Sequence, residues 1–196
     1  MDVRGHPNIL LDFTTKLTEL GFASAGENLS GHQHRWQRGS ASIDILIPAD
    51  LEERARARKG VTGGTTLETR AAQQALDRSE QVDIDLDATI GAVPRPNLLG
   101  ALVAKAAAYS EPLDVGRQRH LTDFVVLAAM ISRRDRIAEQ LTKRDREHLS
   151  PLLADLPNKR SDWVGIEGAE RGVELLTGIS GEPAEPKHNP LLREGS

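Results

Sequence analysis

Two runs in this chain leave little freedom in how it can fold. Leu98–Ala108 is apolar except at Lys105, and Leu121–Ile131 carries a single charge, Asp123. A helix that is apolar on nearly every side is stable only when other elements surround it. The chain must therefore supply enough structure to wrap both runs. At 196 residues it has material for one substantial core or for two small lobes sharing one. Its 38% hydrophobic content is drawn mainly from Leu, Ala, Val and Ile, with only 3% aromatics. Such a core suits helices packed on a sheet better than an aromatic-rich β-sandwich.

Periodicity fills in the elements around these runs. Pro7 fits a first helical turn, and Leu10, Phe13, Leu17 and Leu20 follow at helical spacing before Gly21 supplies a stop. His32–Gln37 and Ala41–Ile47, joined by Arg38-Gly39-Ser40, read as a β-hairpin. Its second run places Ile43, Ile45 and Ile47 on one face and Ser42, Asp44 and Leu46 on the other, and Pro48 closes it. Residues 49–64 read as a loop, and Thr65-Thr66-Leu67-Glu68 as a capping box opening a helix near residue 66. Gln81–Asp87 alternates as a strand with one wet face, ended by Pro94-Arg95-Pro96.

From there on only helices are expected. They span about Asn97–Tyr109, Gln118–Ser132, 134–141, 143–155 behind a Thr142 cap, and 161–177 behind a Ser161 cap. The reading is α+β, with an α/β part over residues 1–92, a helical region over 93–177 and a disordered tail over 178–196.

Composition also excludes some functions. The chain has no cysteine, so it has no disulfide framework, thiolate nucleophile or cysteine zinc site, in keeping with a reducing compartment. No run is long enough to span a bilayer and the N-terminus lacks a signal-peptide core, which points to the cytoplasm. A net charge of −4 gives no general attraction to nucleic acid, although a local basic site is compatible with it.

Three charges stand in apolar surroundings: Lys105, Asp123, and Asp44, the one ionisable residue between Ala41 and Ile47. Taken singly, Lys105 reads as a snorkelling side chain and Asp123 as a partner of the helix dipole. Taken together, they are most cheaply accommodated by convergence, because an unpaired buried charge costs several kcal/mol. The convergent group is then either a plain ion pair or a functional site.

The run His34-Arg-Trp-Gln-Arg-Gly-Ser-Ala-Ser-Ile-Asp44-Ile-Leu, then Gly63-Gly-Thr, then Val93-Pro-Arg-Pro-Asn-Leu-Leu-Gly-Ala-Leu-Val-Ala-Lys105-Ala, resembles the AbiEii/AbiGii-type nucleotidyltransferase toxins. Arg119-His-Leu-Thr-Asp123 resembles their later helix start, and the likeness covers residues 1 to about 155. It implies a polymerase-β-like nucleotidyltransferase fold: a mixed sheet with helices and a C-terminal helical region. It also implies transfer of nucleotides from an NTP to an RNA such as tRNA, a cognate antitoxin, and Mg²⁺.

On this likeness Asp44 is the third catalytic carboxylate and a Mg²⁺ ligand, Lys105 faces the triphosphate, and Asp123 is the acidic residue of the following helix. Those residue types suit the reaction, since carboxylates hold Mg²⁺ and a lysine neutralises phosphate oxygens. The family's first motif, Gly-Ser followed by Asp-x-Asp, belongs ahead of the first helix, where this sequence has only Asp2-Val3 as a strand end. The expectation is therefore an N-terminally truncated member: a nucleotidyltransferase if the missing motif is supplied, or else a catalytically inactive nucleotidyltransferase-like domain acting as a binding or interaction module.

Two further patterns are set aside. Asp83-Ile-Asp85 reads as the solvent face of a strand, and His32 with His34 supplies only two of four metal ligands.

Overall fold

The computed structural model describes residues 8–86, 89–112 and 116–181. Asp2, Val3, Pro7 and residues 182–196 of the tail expected from 178 lie outside the described residues, while 178–181 belong to the last helix rather than to a tail. The first helix, α1 (Ile9–Glu19), buries Ile9, Leu10, Thr14 and Leu17. Thr14 acts as a strut: its Oγ1 donates to the Leu10 carbonyl at 2.8 Å and accepts from the Val61 N–H at 2.8 Å. Gly21, at φ +81°, takes the left-handed conformation that ends the helix.

The hairpin forms as its turn residues dictate. Strands β2 (Arg35–Arg38) and β3 (Ala41–Asp44) pair antiparallel, with Arg35 opposite Asp44, and Gly39 takes φ +57° in the turn. A two-residue strand, β1 (Ala23–Ser24), adds to the other edge of β2. Leu17, Phe22 and Trp36 form a small buried cluster with Ile43 and Ile45 packed against it. The expected alternation holds, with Ile43 and Ile45 half-buried, Ile47 buried, and Ser42, Asp44 and Leu46 exposed or nearly so.

The chain then changes partner. β4 (Leu46–Pro48) pairs in parallel with β5 (Leu67–Thr69). This corrects the helix expected near residue 66. Thr65, the expected cap, lies with its Oγ1 3.0 Å from His32 Nδ1, buried Thr66 donates its hydroxyl to the Ile45 carbonyl, and the next three residues supply the partner that β4 otherwise lacks. The loop between them carries one helical turn, α2 (Glu53–Arg56), and the next helix is α3 (Ala72–Asp77).

β6 (Ser79–Leu86) and β7 (Thr89–Pro96) form a separate two-stranded antiparallel hairpin. Pro94 and Pro96 were expected to end a strand and instead lie inside β7, across the expected boundary at 92/93. The anticipated dry face is incomplete, since Val82 and Ile84 are half-buried and Leu86 is exposed. The strands thus make three small sheets rather than one mixed sheet.

After Asn97 the chain is helical. α4 (Leu98–Tyr109) starts where Asn97 Oδ1 accepts from the Gly100 N–H at 2.9 Å. α5 (Arg117–Ala129), the short α6 (Ile137–Gln140), α7 (Lys143–Asp155) and α8 (Ala169–Gly181) follow. Thr142 and Asp145 form a reciprocal capping box at the start of α7. The last helix begins at Ala169, not behind Ser161. Residues Leu156–Asp162 wind as a 3-10 stretch, Trp163 is buried with its Nε1 donating to the Leu156 carbonyl, and Gly168 at φ +78° permits the final turn into α8.

The main core joins α4, α5, α7 and α8. Leu99, Leu102, Val103, Leu121, Phe124 and Leu152 are each no more than 1% exposed. The chain is therefore mixed α+β; among the described residues the strands end by residue 96 and the regular elements after it are helices.

Candidate functional site

α4 presents Lys105 beside α5. Its Nζ donates to Asp123 Oδ2 at 2.6 Å, and the two side chains are 35% and 39% exposed. Both halves of the pair thus reach solvent, and Lys105 is less buried than its apolar helix suggested. The backbone stems still pack, because Val103, Ala106 and Phe124 on either side are fully buried.

Asp44 is held differently. Its two oxygens accept from Arg35 Nε and Nη2, each at 2.8 Å, in a bidentate pair across the hairpin. Arg35 holds the Asp44 carboxyl below the usual carboxylate range; partial burial opposes this, and the nearby charges of Arg35, His34 and Arg119 add to it. Arg119, one turn before Asp123 on α5, is close enough for its charge to favour the ionised Asp44. The structure brings Lys105 and Asp123 into contact, whereas Asp44 makes its hydrogen bonds with Arg35. This corrects the expectation of a three-way convergence. Arg35 discharges the electrostatic cost of Asp44 locally, so Asp44 has no need of Lys105.

Arg35 is the partner that the sequence reading passed over, although a signal existed. A two-residue turn at Gly39-Ser40 fixes the register and sets residue 35 opposite residue 44. A second polar cluster also went unnoticed. The Tyr109 hydroxyl donates to Asp155, and the Arg117 guanidinium lies 4.6 Å from the Tyr109 ring centroid while its Nε donates to the Tyr109 carbonyl at 2.8 Å. Burial and the Asp155 carboxylate push the Tyr109 phenol up, and the hydrogen bond from Tyr109 holds Asp155 down.

A cleft of about 220 Å³ between α1 and the β3–β4 run has Asp44 on its wall, among Ile9, Leu10, Phe13 and Leu46. A larger one, of about 580 Å³, lies at the base of the second hairpin near Arg95, Asn97, Met130 and Arg134. None of Asp44, Lys105 or Asp123 lines it, so its size does not make it the site of their chemistry.

Both Asp44 oxygens are engaged by Arg35, and the described residues contain no group of three His, Cys, Asp or Glu that could hold a metal ion. His32 Nδ1 is 3.0 Å from Thr65 Oγ1, and Asp83 and Asp85 are exposed on β6. No helix among the described residues is long and apolar enough to cross a membrane. No family model, curated protein or solved structure matches this chain.

Proposed function

We propose that the chain is a nucleotidyltransferase-like protein of a toxin–antitoxin-type system that binds a nucleoside triphosphate at Lys105. The observation that carries this reading is the Lys105–Asp123 pair: an ammonium on an apolar helix, held at 2.6 Å yet one-third exposed. Such a group is positioned by its carboxylate and still open to a competing phosphate oxygen. Asp44, on β3 of the first hairpin, supplies the acidic side in this reading. Transfer to an RNA acceptor such as tRNA, with Mg²⁺, belongs to this reading once a Gly-Ser…Asp-x-Asp pair is supplied, because the residues ahead of α1 contain none. A cognate antitoxin would be its protein partner.

The second reading is a catalytically inactive nucleotidyltransferase-like binding module, favoured by the bidentate Arg35–Asp44 pair. One experiment separates them. The 196-residue chain is titrated with ATP and GTP by calorimetry, then incubated with α-labelled NTP, tRNA and Mg²⁺. Expected are NTP binding, weakened about tenfold or more by Lys105→Ala, and no labelling of tRNA. Labelling abolished by Asp44→Ala would establish the enzyme over the module. Absence of NTP binding at millimolar concentration would overturn the nucleotide reading itself.

A further inference from the structure

The β6–β7 hairpin is the part of the molecule that its own fold least explains. Among the described residues its strands pair only with each other, through eight register pairs from Ser79 opposite Pro96 to Leu86 opposite Thr89. At eight residues each, they are about 26 Å long. No residue of either strand is buried. A two-stranded hairpin is at best marginally stable in water, and one with an uncovered apolar face is a ready surface for another chain.

Its two outer edges are not equivalent. The Asn97 N–H donates inward to the Arg78 carbonyl at 2.8 Å. Backbone direction alternates along a strand, so residues 95, 93, 91 and 89 also point inward and residues 96, 94, 92 and 90 point outward. Pro94 and Pro96 therefore fall on the outer edge of β7, where they remove two of its donors. The same alternation turns the N–H groups of Ser79, Gln81, Asp83 and Asp85 outward on β6, whose edge keeps all four. β7 is closed to strand addition and β6 is open.

The two faces also differ. Val82, Ile84 and Leu86 share one face with Val93, and Leu86 and Val93 are 68% and 42% exposed. Asp83 and Asp85 share the other face, and neither makes a salt bridge among the described residues. Arg95 does not neutralise them, because it pairs with Glu80 on the apolar face at 3.0 Å. We propose that β6 is the docking edge for an extended segment of a partner protein in which apolar and basic residues alternate. Added beside β6, such a strand places its apolar side chains along Val82, Ile84 and Leu86 and its cations along Asp83 and Asp85. A second copy of this chain is disfavoured as occupant, since pairing β6 with itself sets carboxylates against carboxylates. The inference stands independently of the nucleotide reading.

The test uses the full chain and two fluorescent peptides, (Val-Lys)₄ and (Val-Glu)₄, followed by anisotropy. The structure requires binding of (Val-Lys)₄ and not of (Val-Glu)₄. Asp83→Lys/Asp85→Lys should weaken the first about tenfold or more and confer binding of the second. Gln81→Pro, which deletes an outward N–H, should abolish binding with an unchanged urea midpoint. If that variant perturbs the hairpin, N-methylation of alternate peptide nitrogens applies the same test from the ligand side and should also abolish binding. Four results would each overturn the proposal: no binding of (Val-Lys)₄ at millimolar concentration, equal binding of both peptides, binding indifferent to N-methylation, or a concentration-dependent dimer of the chain that Gln81→Pro dissolves.

Discussion

Asp145 is fully buried, and everything that holds it there can be named. Its Oδ2 accepts from the Thr142 N–H at 2.8 Å, the Thr142 hydroxyl at 2.7 Å and Arg78 Nη2 at 2.6 Å. The Arg78 side chain is only 15% exposed, so the ion pair is largely withdrawn from water and ties the end of α3 to the start of α7. Asp145→Ala removes the pair and half of the capping box and leaves a guanidinium poorly solvated. Breaking a buried pair from one side costs about 3–5 kcal/mol, whereas loss of a cap alone costs about 1 kcal/mol. Asp145→Ala should therefore destabilise by about 4 kcal/mol and Thr142→Ala by about 1 kcal/mol, against a total stability of about 5–15 kcal/mol for a domain.

The pair also contains its own inefficiency, because Asp145 Oδ1 is buried without a hydrogen-bond partner. An apolar replacement of both residues, Arg78→Met/Asp145→Leu, should then cost clearly less than the sum of the two single changes. Urea unfolding monitored by circular dichroism gives all five values. If Asp145→Ala costs no more than Thr142→Ala, Asp145 is only a cap and the argument from the buried charge fails.

Other consequences are equally direct. The chain has one tyrosine, so phenolate absorbance on alkaline titration reports Tyr109 alone; its midpoint should lie above the ordinary tyrosine value and fall in Asp155→Asn. Because the folded Tyr109 pKa is raised, its contribution to stability is complete below the unfolded pKa, about 10, and is lost as pH rises through the folded value. Asp155 is depressed, so its contribution is present above the unfolded value, about 3.9, and disappears as pH falls through the folded one. Melting temperature against pH for Tyr109→Phe should be flatter than wild type at both ends. Gly172→Ala should destabilise by about 1–3 kcal/mol or more in the same urea assay, because a Cβ there would sit 2.0 Å from the Ala128 carbonyl oxygen, where α8 crosses α5.

The sequence was most readable where one local interaction decides the outcome. Thr142 caps the helix expected of it, and the helix expected from about Asn97 starts there, because each side chain has a free N–H within reach and no stronger claim on its oxygen. Thr65 misled for the opposite reason: a distant side chain, that of His32, engages its hydroxyl, and no local pattern announces that. Pro94 and Pro96 looked like terminators because their outward direction in β7 depends on the register of the whole hairpin. Among the candidate site residues, Lys105 and Asp123 stood out as charges on apolar helices, and they do meet. Asp44 stood out equally, yet its pairing with Arg35 depends on hairpin register rather than composition.

The larger hydrophobic cluster draws every member except Ala71 from residues beyond Leu98. The strands ahead of it rest on Leu17, Phe22 and Trp36. A ribosome makes the chain in the reverse order of that support, so the sheets leave the exit tunnel before the helices that form the main core. The nascent N-terminal half must wait without the main core until α4, α5, α7 and α8 close together. Slow translation through residues 98–176 would lengthen that wait, during which only the small cluster of Leu17, Phe22 and Trp36 can hold the first strands.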